Sequence, residues 1–449
     1  MNTLKAGFAR ADITPMLGIG IGGYFITRHA EEILDPLELV ALAVEAGGTT
    51  AVLVTIDQCS IGSATFEALR NRVADATGLP LSNVFVHLTH THTSPILGAE
   101  SDNELVQEYY QMVWRKLGDV AQMALKDLQP AKMGWAVGNA PKIAFVRRFR
   151  MKDGKVRTNP GVGNPDILAP IGDVDERLNV LRFDRECGDT LVLGNFGNHP
   201  DTVGGRRISA DWPGMTRRMV EHALENTKCI FFNGAQGDVN HVNVTAKGGD
   251  YNDLANDFDD VARGYGHTRH MARVMTGAIM QVFDKVNWVD VDSVRTLQRV
   301  VNAPSNMPTE TDDMALAYKY RDLHNAGKDE EIPFEGMELT TVVAEAMRMC
   351  NLEHGPESYP LIMTGIAIGP VALFGIPGEP FTGVGRGLKE AEGWDLVLPC
   401  CQTNDRIGYF PMQEAYDEGG YEARGSYFKA GVAELIIKEG TDMLNSLRA

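Results

Sequence analysis

Histidine, carboxylate and amide side chains gather just past three apolar, strand-like runs: VFVHLTHTHTSP (84–95), LVLGNFGNHP (191–200) and ALFGIPGEP (372–380). Imidazole and carboxylate are zinc ligands, and a zinc site with an open position can activate water and polarise a carbonyl. Ligand sites of α/β folds form beyond the carboxyl ends of their strands. The three segments are far apart in sequence, so only a fold could bring them together. The pattern points to a metal-dependent hydrolase.

Within these segments the residues divide by geometry. His90 and His92 flank Thr91, so a continued strand would turn both to one face. One could then bind a metal while the other orients a ligand or meets the substrate; two hydrogen-bonded histidines in a polar turn would satisfy the same sequence. His87 falls on the opposite face and reads as structural. His199 precedes Pro200, which biases it away from helical geometry. Glu379 sits between Gly378 and Pro380, directly after a buried run, and is a candidate ligand.

FFNGAQGDVNHVN (231–243) adds Asn233, Gln236, Asp238, Asn240 and His241 beyond another apolar run. Gly234 and Gly237 would let backbone N–H groups approach an oxyanion or a water, although an amide-rich turn has the same composition. Arg147, Arg148 and Arg150 form a basic cluster that could bind an anionic substrate group, with surface arginines as the plain alternative. Asp211 either supports a metal ligand or caps the helix after it. GVGRG (383–387) lacks the strand and spacing of a nucleotide loop. GDYNDLANDFDD (249–260) lacks the glycine and glutamate offsets of a calcium loop and reads as a solvated acidic segment.

The elements that must position these groups are legible. AVLVTID (51–57), NVFVHLT (83–89), NVLRFD (179–184), LVLGNF (191–196) and KCIFF (228–232) read as strands. PLIMTGIAIGPVALFGI (360–376) reads as two strands about a Gly369-Pro370 turn. Helices are expected before Gly78, from Asn103 to Leu128, around Pro213, and from Ala433 to Leu447, the last weakened by Gly440. The class is α/β, in one large catalytic domain spanning residues 1–449. The more polar stretch 303–360 is expected to be a helical insertion or cap within it.

Composition bounds the partners. The chain has 449 residues, 44% hydrophobic and 23% charged, which is ordinary for a globular protein. A net charge of −18 argues against nucleic acid, which demands a basic face. No apolar run reaches the length of a membrane span, so stable membrane insertion is not expected. The six cysteines show no CxxC spacing and no framework pattern; with no recognisable leader, reduced thiols and a cytoplasmic location are expected. A small-molecule substrate follows, and a homo-oligomer is compatible with the sequence.

Motifs in order along nearly the whole chain add a resemblance. GFARADITP with LGIGIGGYF, then LTHTHTSP, GNHP, SADWPG, NGAQGDVN, PGEPFT and NDRIGYFPMQEAYDEGGYEA are similar to those of the neutral, non-lysosomal ceramidase family, zinc-dependent amidases. The resemblance implies a catalytic domain of that type, expected without the C-terminal β-sandwich of many ceramidases. It implies a Zn2+ cofactor held by His90, His199, Glu379 and Tyr409, with His92 near the substrate carbonyl and Tyr421 donating to the developing oxyanion. Tyr416 reads as packing. Arg147 and Gln236 are candidate substrate contacts. The family carries a serine shortly after GDV; here Asn240 stands there, so a serine-dependent step is lost and Asn240 is left to bind substrate or position water. The expected reaction is hydrolysis of an amide or ester of a small soluble substrate by metal-activated water. Action on a carbohydrate-like substrate, or metal binding without catalysis, are the alternatives.

Overall fold

Alternation along Glu38–Ala46 sets the layering: Leu39, Ala41 and Ala43 enter one core, while Val40, Leu42 and Val44 enter another. Thr49–Ile56 and Val84–Leu88 split in the same way within a large sheet of the computed structural model, which describes residues 4–251 and 253–448. The sheet contains β1 (Lys5–Asp12), β2 (Glu38–Ala46), β3 (Thr49–Ile56), β4 (Val84–Leu88), β5 (Gln129–Asn139), β6 (Arg177–Arg185), β7 (Thr190–Phe196) and β8 (Thr227–Asn233). Their spatial order is β8-β7-β6-β5-β1-β2-β3-β4, and a short strand, Asn287–Val289, pairs with β5. Inner pairs are antiparallel; the outermost pairs, β3 with β4 and β7 with β8, are parallel.

Parallel neighbours need crossovers. Helix α1 (Ser63–Thr77) joins β3 to β4 and packs with α2 (Glu104–Lys126) through Phe66, Leu69, Tyr109 and Val113. Gly78, left-handed at φ 70°, closes α1, and the Asn103 side chain caps α2 by accepting from the Val106 N–H. At the other end α3 (Asp211–Ala223) and α4 (Tyr265–Phe283) bury Trp212, Val220, Met271 and Met275 against β7 and β8.

The opposite face of the large sheet meets a second sheet of β9 (Val294–Pro304), β10 (Ser358–Ile368), β11 (Val371–Gly375) and β12 (Leu396–Cys400), in that order. Leu42, Leu53, Phe85, Leu193 and Phe232 pack there with Ile366, Leu373 and Leu398. β9 and β10 pair from Val294↔Ile368 to Pro304↔Ser358. The chain therefore leaves β9, forms a helical hairpin of α5 (Met314–Asn325) and α6 (Gly336–Leu352), and returns in register. Gly369, at φ 56°, makes the tight turn between β10 and β11. The parallel β11–β12 pair is joined by α7 (Thr382–Lys389), which covers the outer face with α8 (Val432–Arg448). The result is four layers: helices, sheet, sheet, helices.

Helix α8 runs unbroken through Gly440, where the sequence predicted a weak point. A Cβ there would lie 2.5 Å from Leu388 Cδ2, so the glycine serves close helix packing. No cysteine among the described residues is in a disulfide. No described helix is long and apolar enough to cross a membrane.

Candidate metal centre

The parallel pairs β3–β4, β7–β8 and β11–β12 end beside one another. At the end of β8 the Asn233 N–H donates to His87 Nε2 at 3.0 Å, and its carbonyl accepts the Cys401 N–H beyond β12. The Leu88 N–H at the end of β4 donates to the Gln402 carbonyl. His87 is thus a buried tie between the edges of the large sheet, with Nδ1 3.0 Å from Thr55 Oγ1. Burial pushes its pKa down to about 3, so it stays neutral.

Strand β4 stops at Leu88, so His90 and His92 are not aligned by strand alternation. Thr89 and His90 instead donate their N–H groups back to the Ile56 and Gln58 carbonyls, and His90 adopts a left-handed φ of 71°. That turn aims His90 Nε2 at Glu379 Oε2, 3.3 Å away. His199 Nε2 approaches the same oxygen at 3.2 Å. His90, His199 and Glu379 are all buried, with ligand atoms within 4.8 Å of one another.

Backbone carbonyls orient both rings. His90 Nδ1 lies 2.7 Å from the Cys59 carbonyl, and His199 Nδ1 lies 2.9 and 3.0 Å from those of Gln236 and Val239. A proton on each Nδ1 leaves each Nε2 a lone pair facing the carboxylate. Glu379 Oε2 has no hydrogen-bond partner among the described residues. Three acceptors converging in a buried space are reconciled by a cation. Burial lowers the His90 pKa, but the Glu379 charge and the Cys59 thiol outweigh it and push it up to about 10. Burial would likewise raise the Glu379 carboxyl, yet His90 and His199 hold it well below the usual range. Without an ion, a proton takes its place; metal binding displaces it.

Tyr409 enters from a direction no periodicity marks. Residues 379–380 and 409–410 form a two-residue parallel ladder that sets Glu379 opposite Tyr409. The Tyr409 and Tyr421 rings meet edge to face at 5.5 Å. Burial and the Glu379 charge push the Tyr421 phenol up to about 12, which keeps its proton. Tyr416 donates to the Phe428 carbonyl at 2.8 Å.

The structure also gathers the other candidates nearby. His92 Nε2 is 3.2 Å from His90 Nε2, and its Nδ1 is 3.9 Å from Asp201. Arg147 is buried and committed to protein partners: Glu422 at 2.6 Å, the Gly237 carbonyl at 2.7 Å and His199 Nε2 at 3.3 Å. Arg148 and Arg150 instead pair with Glu418. Gln236 is buried; its Oε1 accepts from Asn233, and its Nε2 has no partner among the described residues. The Asn240 amide donates to Asn159 Oδ1 at 2.7 Å and accepts the Val242 N–H. Asp211 accepts the Thr202, Val203 and Trp212 N–H groups, tying the loop after His199 to α3.

Sequence reasoning overlooked Tyr24 and Asp201. The Tyr24 hydroxyl donates to Asp201, Arg263 Nη2 does so at 2.7 Å, and the Tyr24 ring lies 5.6 Å from His92. The signal was an acid two residues past a candidate ligand.

The mixed α/β scaffold thus gathers two histidines and a glutamate at its strand ends into a candidate metal-binding group. No protein-family model and no curated protein sequence matches the chain. Solved structures do: neutral ceramidase from Pseudomonas aeruginosa matches with a TM-score of 0.74, over 100% of this chain and 75% of that one. A second structure, described as ceramidase complexed with C2, matches with a TM-score of 0.72, over 100% of this chain and 76% of that one. Both are 18% identical to this chain, which therefore has the neutral-ceramidase fold.

Proposed function

We propose that this chain is a metal-dependent hydrolase, with zinc as its ion, that cleaves an amide or ester bond of a small soluble substrate. The observation that carries the reading is the convergence of His90 Nε2, His199 Nε2 and the unpartnered Glu379 Oε2 in one buried space. Likeness to neutral ceramidases directs it towards an amide.

His90, His199, Glu379 and Tyr409 would hold the ion. When bound, zinc supplies a Lewis acid for a carbonyl and lowers the pKa of water towards about 7. The chain's own residues do the rest. Tyr421 keeps its proton and donates it in a hydrogen bond to the carbonyl oxygen as negative charge develops. His92 positions or protonates the reacting groups. Arg147 braces His199, and Asn240 braces the 239–242 turn.

A cavity of about 520 Å³ beside Tyr421 is lined by Arg157, Asn159, Asn164, Glu338 and Arg424 among others. Val156, Pro160 and Met337 line it as well, so its wall is mixed, and none of the four proposed metal ligands lines it.

The test is metal content and hydrolysis of amides, esters and glycosides by wild type, His199→Ala and Glu379→Ala. Activity that needs metal and is lost in both variants is expected. A metal-free wild type that stays inactive after zinc addition removes the reading. The serine position occupied by Asn240 favours one alternative, a metal-containing binding protein. It predicts tight ligand retention without turnover of any close analogue.

A further inference from the structure

Glu422, in the short helix Tyr421–Gly425, is a carboxylate with 0% of its surface exposed and no part in the hydrolytic steps. A charge so deeply buried needs a partner. Its Oε1 lies 2.6 Å from Arg147 Nε, and its Oε2 accepts the Thr158 hydroxyl at 2.8 Å. Arg147 is itself buried, and Nη2 is spent on the Gly237 carbonyl at 2.7 Å. Its remaining contacts run to the proposed metal ligands. Nη1 is 3.3 Å from His199 Nε2, and the guanidinium donates a hydrogen bond to Tyr409, 5.3 Å from that ring's centroid. The Glu379 charge reaches Arg147 as well.

A guanidinium is a poor neighbour for a divalent cation. Among the proposed ligands only Glu379 is a carboxylate, and the charge of Arg147 offsets it. Glu422 restores the negative balance. We infer that Glu422 is a positioning residue of the proposed metal centre: it neutralises Arg147 and holds it off Glu379, leaving His199 and Glu379 to a divalent cation.

Stability alone is a weak account of this pair, because a buried ion pair often contributes no more than apolar side chains of the same volume. Losing one partner is different: it leaves a buried charge uncompensated. Without Glu422, Arg147 would turn its charge on Glu379 and compete with the ion for it. The role of Glu422 is thus electrostatic, acts through Arg147, and rests on the reading of His90, His199, Glu379 and Tyr409 as a metal centre.

Zinc affinity, read by competition with a chelator, tests this, with thermal unfolding of each metal-free protein as the check on folding. Glu422→Gln keeps the side chain's shape and removes its charge, so a loss of about 10- to 100-fold in affinity is expected. Arg147→Met/Glu422→Gln removes the uncompensated guanidinium too, and should bind zinc more tightly than Glu422→Gln. Thr158→Val loosens the carboxylate but changes no charge. It should lower the Tm and leave affinity near wild type, whereas a merely structural role would cost affinity in both. Wild-type affinity in Glu422→Gln, or a double variant that binds no more tightly, overturns the inference and leaves the hydrolytic reading standing. Should Glu422→Gln alone not fold, the same change is compared on the Arg147→Met background. There an unchanged affinity supports the inference, and a loss beyond about tenfold overturns it. A wild type that binds no zinc removes both.

Discussion

Glu379 and Tyr409 face each other across a two-residue parallel ladder, closed by the Glu379 N–H donating to the Gly408 carbonyl at 2.8 Å. The ladder depends on Gly378. A Cβ at that position would lie 2.5 Å from the Gly408 oxygen and 2.6 Å from the Phe410 ring. Gly378→Ala is therefore expected to part the two strands and move the proposed ligand carboxylate of Glu379 without touching it. Displaced support of a metal ligand costs on the order of 10- to 100-fold in affinity. Competition with a metallochromic chelator measures this; unchanged zinc affinity in a folded Gly378→Ala protein would contradict the ladder's role.

Asp211 holds its neighbourhood by accepting three backbone N–H groups and the Thr202 hydroxyl, all buried, from a left-handed backbone at φ 54°. Asp211→Ala leaves those donors unpaired, at a cost of about 1–3 kcal/mol for a single buried group and more for several. A loss of at least ~3 kcal/mol is expected in urea unfolding. Because the loop follows His199, metal content should fall as well. A loss below ~1 kcal/mol would mean that water replaces the carboxylate.

Much of this was open to reading in the sequence. The apolar runs at 51–57, 191–196 and 228–232 became strands because their branched and aromatic residues fill two cores by alternation. His90, His199 and Glu379 stood out because each follows such a run. The Tyr409 position came from motif resemblance alone, since a two-residue ladder leaves no periodic trace. Strand alternation could not supply the His90–His92 relation, because a left-handed residue interrupts it. Arg147 looked like a surface charge or a substrate contact; its buried pairing with Glu422, 275 positions on, is a tertiary fact.

Gly440 shows the same limit from the helical side. By propensity alone, Gly440→Ala should stabilise α8 by roughly 1 kcal/mol. The new methyl would instead lie 2.5 Å from Leu388 Cδ2 and 3.1 Å from the Phe374 ring, both buried. Overpacking of this kind costs about 1–3 kcal/mol. Net destabilisation is expected in thermal unfolding, and a raised Tm would show that α7 yields to the methyl.

Asp175 gives the fold an acid limb. Its carboxylate accepts Arg177 Nε at 2.7 Å and Nη2 at 2.8 Å, and Lys389 Nζ at 2.9 Å, tying α7 to the segment that enters β6. Burial would raise its pKa, but Arg177 and Lys389 outweigh burial and hold it well below the usual carboxylate range. A depressed folded pKa contributes stability that is complete above the unfolded value, about 3.9, and is lost as pH falls below it. Asp175→Asn removes that contribution and leaves the Lys389 ammonium without its partner, so a loss of about 1–2 kcal/mol is expected at pH 7. The gap between wild type and variant should then narrow steadily in urea titrations taken from pH 5 down to pH 2. A gap that holds constant across that range would show that the carboxylate's charge contributes nothing, leaving only the shape of the side chain to account for the loss.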